Sequence, residues 1–184
     1  MNIAITGATG LVGSRIVQLL KDNFRFIPIT HESLDITDLA KVQSAIKNTD
    51  FDIFLHLAAY TNVDGAENER AQAHAVNVVG TQNLFRTTID KGKKFIYFST
   101  DFVFDGRNPP YTENSLPHPI GYYGQSKWEG EQVLQGEATI VRISYPYGNQ
   151  TGTKPDFVAR IKSLLEQGKE LSMITDGSMT PTYI

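Results

Sequence analysis

Apolar residues fall along this chain in two alternating rhythms. Short runs rich in β-branched and aromatic residues predict strands at 2–6, 25–30, 52–58, 94–100, 139–144 and 171–174. Between them, apolar positions three and four apart predict helices at 11–21, 37–47, 66–88, 122–135 and 155–167. Pro155 is placed for a first helical position and Gly168 for a stop. The run at 52–58 is almost unbroken in apolar residues, as expected of a strand buried on both faces. The stretch 105–121, rich in Pro, Gly and Asn, reads as a loop. This alternation predicts an α/β fold: a doubly wound parallel sheet with right-handed crossovers. The strand order expected first is 3-2-1-4-5-6, with an open flavodoxin-like sheet as the alternative. The first order places a ligand beyond the strand C-termini, at the switch point.

Gly7, Gly10 and Gly13 stand directly after the first predicted strand, where the first predicted helix begins. A strand-to-helix turn needs a residue that tolerates positive φ. A phosphate approaching the backbone needs a position without a side chain, and tight packing of helix on strand needs a third small residue. The helix N-terminus then presents N–H groups and a positive dipole end to a diphosphate. This is the arrangement of a Rossmann-type NAD(P)-binding domain. Such a site normally carries an acidic residue about 20 positions on, holding the adenosine ribose. Here the second strand ends Ile29-Thr30-His31-Glu32. Glu32 is equally a ribose ligand or a solvated loop residue, so NAD and NADP both remain open as cofactor.

Tyr123 and Lys127 are four apart on a predicted helix and share a face. An ammonium beside a phenol favours phenolate and lowers its pKa, which suits proton transfer to a carbonyl. Taken alone the pair reads as an exposed helix pair. The fourth strand, however, ends Ser99-Thr100-Asp101, at the sheet edge that faces the cofactor. A hydroxyl there can donate to a carbonyl oxygen, although such a residue also serves as a loop entry bonding its own backbone.

Composition narrows the classes. With 184 residues one domain is the default. The absence of cysteine excludes disulfides and thiolate zinc sites. The net charge of −3 and pI near 5.8 argue against nucleic-acid binding. No apolar run approaches the roughly 18 residues of a membrane span, and the first residues do not read as a signal peptide. The expectation is a cytoplasmic protein. His31, His56, His74 and His118 are scattered, so no metal site is expected, and His56 reads as a satisfied core histidine.

Several longer stretches carry a resemblance. They are Thr6-Gly7-Ala8-Thr9-Gly10-Leu11-Val12-Gly13, Leu34-Asp35-Ile36-Thr37-Asp38 and the run from Leu57 to Glu67, which contains Ala58-Ala59-Tyr60-Thr61-Asn62-Val63-Asp64. They continue with Ala75-Val76-Asn77-Val78-Val79-Gly80-Thr81, the run from Ser99 to Gly106, Tyr122-Tyr123-Gly124-Gln125-Ser126-Lys127 and Pro181-Thr182-Tyr183. On these the chain resembles the extended short-chain dehydrogenases/reductases, and within them the dTDP-4-dehydrorhamnose reductase branch. The resemblance implies an NAD(P)H-dependent reductase acting on the 4-keto group of a nucleotide sugar, dTDP-linked. It implies a catalytic trio of Thr100, Tyr123 and Lys127. Gly7, Gly10 and Gly13, with Leu11 and Val12 through their backbone, would hold the diphosphate. Asp35 and Ile36 would border the adenine, and Ala58, Ala59 and Tyr60 would line the cofactor channel. Asn77 would stand near the cofactor as a structural residue. Asp101, Thr61, Val63 and Tyr145 would face the sugar. A homodimer through the helices of Asn77 and Tyr123 is implied as well.

The branch often carries Trp after Arg142, where this chain has Ile143-Ser144-Tyr145; Tyr145 keeps an aromatic face. Members also continue past the Pro-Thr-Tyr motif into a region that covers the sugar nucleotide. The expectation is a dinucleotide-binding domain over 1–184, with the start of a truncated substrate region after about 145, that binds dinucleotide but turns over sugar poorly. Two alternatives come from the same superfamily. One is a non-catalytic regulatory subunit resembling the methionine adenosyltransferase β subunit. The other is a nucleotide-sugar epimerase or dehydratase, disfavoured because Thr100 is followed by Asp101-Phe102 and not by an Asp-Glu pair.

Overall fold

The computed structural model describes residues 1–134, 136–148, 155–173 and 179–184. Its centre is a sheet of five parallel strands: β1 (Asn2–Thr6), β2 (Arg25–Ile29), β3 (Ile53–His56), β4 (Lys94–Thr100) and β5 (Thr139–Ile143). The crossovers carry α1 (Leu11–Leu20), α2 (Leu39–Asn48), a broken helical stretch from Val63 to Asp90, and α6 (Tyr122–Gln132). The fold class is the expected doubly wound α/β sheet.

The order of strands is β2-β1-β3-β4-β5, so the expected 3-2-1-4-5-6 order is replaced by the open alternative. The reason lies between β2 and α2. There Ser33 and Leu34 return their N–H groups to the carbonyl of Thr30, and Asp38 returns its own to Asp35. Leu34 and Ile36 are buried, but their backbone turns and adds no strand outside β2. The chain therefore crosses back through α2 and lands on the far side of β1. The switch point falls between β1 and β3.

Two apolar layers cover the sheet. On one face Phe51, Phe54, Phe95, Tyr97 and Leu84 pack with Val42 and Ile46 of α2. Phe54 stacks on Phe95 at 5.5 Å between centroids, and Phe85 meets Phe95 edge-on at 5.6 Å. Each such buried ring contributes roughly 1.5–3 kcal/mol. On the other face Ile3, Ile5 and Leu55 pack against Ile16 and Val17 of α1.

The single helix expected at 66–88 is four pieces: α3 (Val63–Asn68), α4 (Arg70–His74), a π-helical turn (Ala75–Gly80) and α5 (Thr81–Asp90). Asn62 caps α3 by accepting from the N–H of Gly65. Glu69 breaks the helix, with φ −112° and ψ 41°. After β5, β6 (Pro146–Tyr147) pairs in parallel with β7 (Thr182–Tyr183), a small second sheet absent from the periodicity reading. Between them lies α7 (Phe157–Glu166). Its cap is Asp156, which accepts from Ala159 at 2.8 Å, so Pro155 precedes the cap and does not open the helix. Residues 171–173 form no strand, and the rest of that expected strand lies outside the described residues.

Candidate active site

The turn after β1 has the backbone its glycines imply. Gly7 has φ +71°, and a Cβ there would stand 2.8 Å from the backbone nitrogen of Ala58. A Cβ on Gly13 would meet the carbonyl oxygen of Gly7 at 2.1 Å, so α1 can approach the turn only without one. Gly10 differs. Its φ of −71° suits any residue, and an added Cβ would press only on the Gly7 oxygen, at 3.2 Å. Its missing side chain leaves the space over the first turn of α1 open. That opening is the cradle a diphosphate needs, so these residues fit a dinucleotide.

Beside this turn lies a cleft of ≈ 430 Å³ at the C-terminal ends of β1, β2 and β3. Gly7, Asp35, Ile36, Ala58, Ala59 and Tyr60 line it together, although they come from three crossovers. Glu32 joins them on the rim. Gly10, Leu11, Val12 and Gly13 stand outside its lining, in the turn and the start of α1.

The floor is tied by a chain of hydrogen bonds. Thr81 donates its hydroxyl to the Asn77 carbonyl at 2.8 Å. It therefore accepts from His56 Nε2 at 3.1 Å, which puts the ring proton on Nε2. His56 Nδ1 then accepts from Thr6 Oγ1 at 2.7 Å, and that oxygen in turn accepts the N–H groups of Leu57 and Ala58. Burial, reinforced by the charge of Lys127, pushes the His56 pKa down to about 3. The ring is neutral and fully partnered, a core histidine as expected. Asn77 spends its amide inside the protein: Oδ1 accepts from the N–H of Tyr60, and Nδ2 donates to the Tyr60 carbonyl and to Ser126 Oγ. It positions the channel loop against α6 and is itself buried.

At the end of β4, Thr100 and Tyr123 come together. Burial pushes the Tyr123 phenol above its ordinary pKa; the Thr100 hydroxyl opposes this and the charge of Asp101 adds to it. Lys127, one turn along α6, is buried. Its Nζ donates to the Phe98 carbonyl at 2.8 Å and stands 4.1 Å from the centre of the Tyr97 ring. Burial lowers its pKa to about 7, against the pull of Glu131. The expectation that Lys127 depresses the tyrosine is not met here. The ammonium is engaged with the β4 backbone, and desolvation decides the phenol. A phenol held above its ordinary pKa is protonated at neutral pH.

Residues 1–184 match the family described as RmlD substrate binding domain. The chain belongs to that family. The dTDP-4-dehydrorhamnose reductase of Mycobacterium tuberculosis (strain CDC 1551 / Oshkosh) is 36% identical over 191 residues, covering 99% of this chain and 62% of that protein. A crystal structure of dTDP-4-dehydrorhamnose reductase from Bacillus anthracis, in complex with NADP, superposes with a TM-score of 0.89 at 36% identity, covering 99% of this chain and 66% of that one. The methionine adenosyltransferase 2 subunit beta of Xenopus laevis is also 36% identical, over 79% of this chain and 47% of that protein. The chain thus spans less than two thirds of the length of each of these relatives.

Within this RmlD-family chain, the residues expected to face a sugar are placed as follows. Asp101 accepts from Ser144 at 2.6 Å and from Thr100 at 3.2 Å, joining the ends of β5 and β4. Tyr145 has φ +40°, uncommon for a residue with a side chain. Its ring packs on Phe157 at 5.8 Å and Phe102 at 6.5 Å, and Phe102 meets Tyr123 edge-on at 5.6 Å. Thr61 and Val63 are exposed at the start of α3.

Four contributors escaped the sequence reading. Phe102 walls one side of Tyr123. Ser144 fixes Asp101. Glu67 accepts the N–H of Tyr122 at 2.6 Å, at the N-terminus of α6, where Gly121 offers no side-chain cap. Glu131 holds Arg142 in a two-pronged pair, at 2.9 and 2.6 Å, that ties α6 to β5. Glu67 lies inside a quoted motif and Glu131 lies four beyond Lys127, but nothing local names their partners. Among the described residues no group of three or more His, Asp or Glu side chains gathers as metal ligands, and no helix is long and apolar enough to cross a membrane.

Proposed function

We propose that this chain binds NADH or NADPH and serves in the reduction of the 4-keto group of a dTDP-linked sugar. The observation that carries this reading is the pairing of Thr100, at the end of β4, with the buried phenol of Tyr123 on α6, next to an open glycine turn and its cleft. The names of the reductase relatives and the NADP bound to the Bacillus anthracis structure support it.

A bound reduced nicotinamide supplies the hydride. The rest falls to the chain. Gly7 and Gly10 leave the first turn of α1 open to the diphosphate, and Asp35 and Ile36 would flank the adenine. Ala58, Ala59 and Tyr60 line the channel toward the nicotinamide, whose ribose Lys127 would hold. As the sugar carbonyl gains an electron pair, negative charge develops on its oxygen. The Tyr123 hydroxyl, and the Thr100 hydroxyl once it turns from Asp101 to the substrate, would donate to that oxygen and stabilise it, and Tyr123 would then deliver its proton. Burial of the phenol keeps that proton in place until it is needed. The same reading places the protein in the cytoplasm as a homodimer, with no nucleic-acid partner; light scattering on the purified chain tests the dimer.

Fluorescence titration with NADH and NADPH, with and without a dTDP-sugar, tests the cofactor half. Saturable binding is expected, and binding of neither would overturn the reading. For the chemical half, Tyr123→Phe should lower turnover by about 10²–10⁴-fold while leaving dinucleotide affinity unchanged. A loss below about tenfold would remove Tyr123 from the role.

A further inference from the structure

Three charged side chains, Lys127, Glu131 and Arg142, form a row between α6 and the sheet. Glu131 follows Lys127 by four residues and shares its face of α6, and both are buried. Arg142, on β5, closes on Glu131 with two prongs, at 2.9 and 2.6 Å, and its guanidinium lies 5.0 Å from the centre of the Phe104 ring. At the other end Lys127 gives one of its three donors to the Phe98 carbonyl. The packing between them is tight: a Cβ on Gly130 would stand 2.6 Å from the Asn77 carbonyl oxygen and from the Tyr97 hydroxyl. The row therefore runs cation, anion, cation where water screens little.

Burial drives Lys127 toward its neutral amine, and the charge of Glu131 works against this. Its other neighbours offer no such help. Tyr97 and Tyr123 are phenols held above their ordinary pKa, and His56 of β3 is neutral. The carboxylates on the elements packed around α6 are engaged. Glu67 of α3 binds Tyr122 and Arg70, Glu129 faces His74 of α4 and Gln125, and Asp101 accepts from Ser144 and Thr100. We propose that Glu131 is a positioning residue: its carboxylate, clamped by Arg142, holds Lys127 as an ammonium whose free donors grip the nicotinamide ribose. The role rests on the dinucleotide reading above, and it makes that grip depend on a carboxylate outside the cleft lining.

Titration of the whole chain with NADH and NADPH across a range of about pH 5.5 to 8.5 tests it. Lys127 has a pKa of about 7 in the free protein, and a ribose that favours its ammonium raises that value. Affinity should therefore be full below pH 7 and fall as pH rises through it. Lys127→Met should remove this fall. Glu131→Gln should bind like the native chain near pH 5.5 and about tenfold more weakly near pH 8, because the lysine then gives up its proton earlier. Since Glu131→Gln leaves Arg142 without its anion, a double variant, Glu131→Gln with Arg142→Gln, removes both members of the pair and should show the same displaced fall. His31, on the rim of the cleft, is common to every variant and cancels in the comparison. A loss equal at every pH would mark a merely structural tie and overturn the proposal. Native-like curves from the double variant would overturn it too, as would a fall that Lys127→Met retains. Binding of neither dinucleotide by the native chain at any pH would overturn the cofactor reading beneath it, and this role with it.

Discussion

His56 sits between two threonine hydroxyls with both ring nitrogens engaged, and its titration is a stability term with a definite sign. Its folded pKa is about 3, against about 6.5 in the unfolded chain. Above pH 6.5 the ring is neutral in both states and the contribution is whole. As pH falls from 6.5 toward 3, the unfolded chain takes up a proton that the native one refuses, and stability drops by at most about 5 kcal/mol. Lys127 does not confuse this window. Its folded pKa of about 7 lies below the ordinary 10.5, so its pH dependence falls between those two values and is flat below them. Urea unfolding of the native chain from pH 4 to 7 should therefore steepen with acid more than that of His56→Gln. Parallel curves would remove His56 as the source. Tyr123 follows the same logic of desolvation: burial withholds charge from the phenol and leaves it a proton donor.

The elements around the site are aimed by contacts that cross between them. α6 begins at Gly121, which caps with no side chain, and the carboxylate of Glu67 near the end of α3 supplies the acceptor. The same carboxyl binds Arg70, whose guanidinium lies 5.0 Å from the centre of the Tyr122 ring. Farther along, the buried glycine face of α6 presses on its neighbours, since a Cβ on Gly124 would stand 2.1 Å from the Phe102 carbonyl oxygen. Glu67→Ala removes both an N-terminal acceptor and a charge that favours the helix dipole, and should lower the melting temperature. Turnover should fall with it, because Tyr123 sits in that first turn. Glu67→Gln keeps the acceptor and should recover most of the activity. Thermal melts and turnover of the two variants check this, and equal behaviour of both would show that the acceptor is immaterial.

Across the molecule, the sheet order decides which parts are most secure. β1, β3 and β4 are central, whereas β2 and β5 are edges among the described residues. Ala4, Ile5, Phe54 and Tyr97 are fully buried, while Pro28 and Ile140 on the edge strands are exposed. Amide exchange should accordingly be slowest in β1, β3 and β4 and faster in β2 and β5. Fast exchange in β3 would contradict this layering. Pro28 also bears on topology. Without an N–H it is tolerated at an edge and disfavoured in a strand paired on both sides.

The sequence by itself determined the alternation of strands and helices, the glycine turn, the spacing of Tyr123 and Lys127, and the family. Apart from the family, which rests on the resemblance of whole motifs, these rest on local rules: a period of two or of 3.6, the φ of a glycine, neighbours four apart on a helix. The cleft residues Asp35, Ile36, Ala58, Ala59 and Tyr60 were legible only through the resemblance of the motifs that contain them. Only the tertiary structure decided the strand order, the π-helical turn at Asn77 and the direction of the Tyr123 shift. It also supplied the partners Glu67–Tyr122, Asp101–Ser144 and Glu131–Arg142. These depend on which surfaces meet and how much water they exclude, and no spacing along the chain encodes a meeting between residues 55 apart, as for Tyr122 and Glu67.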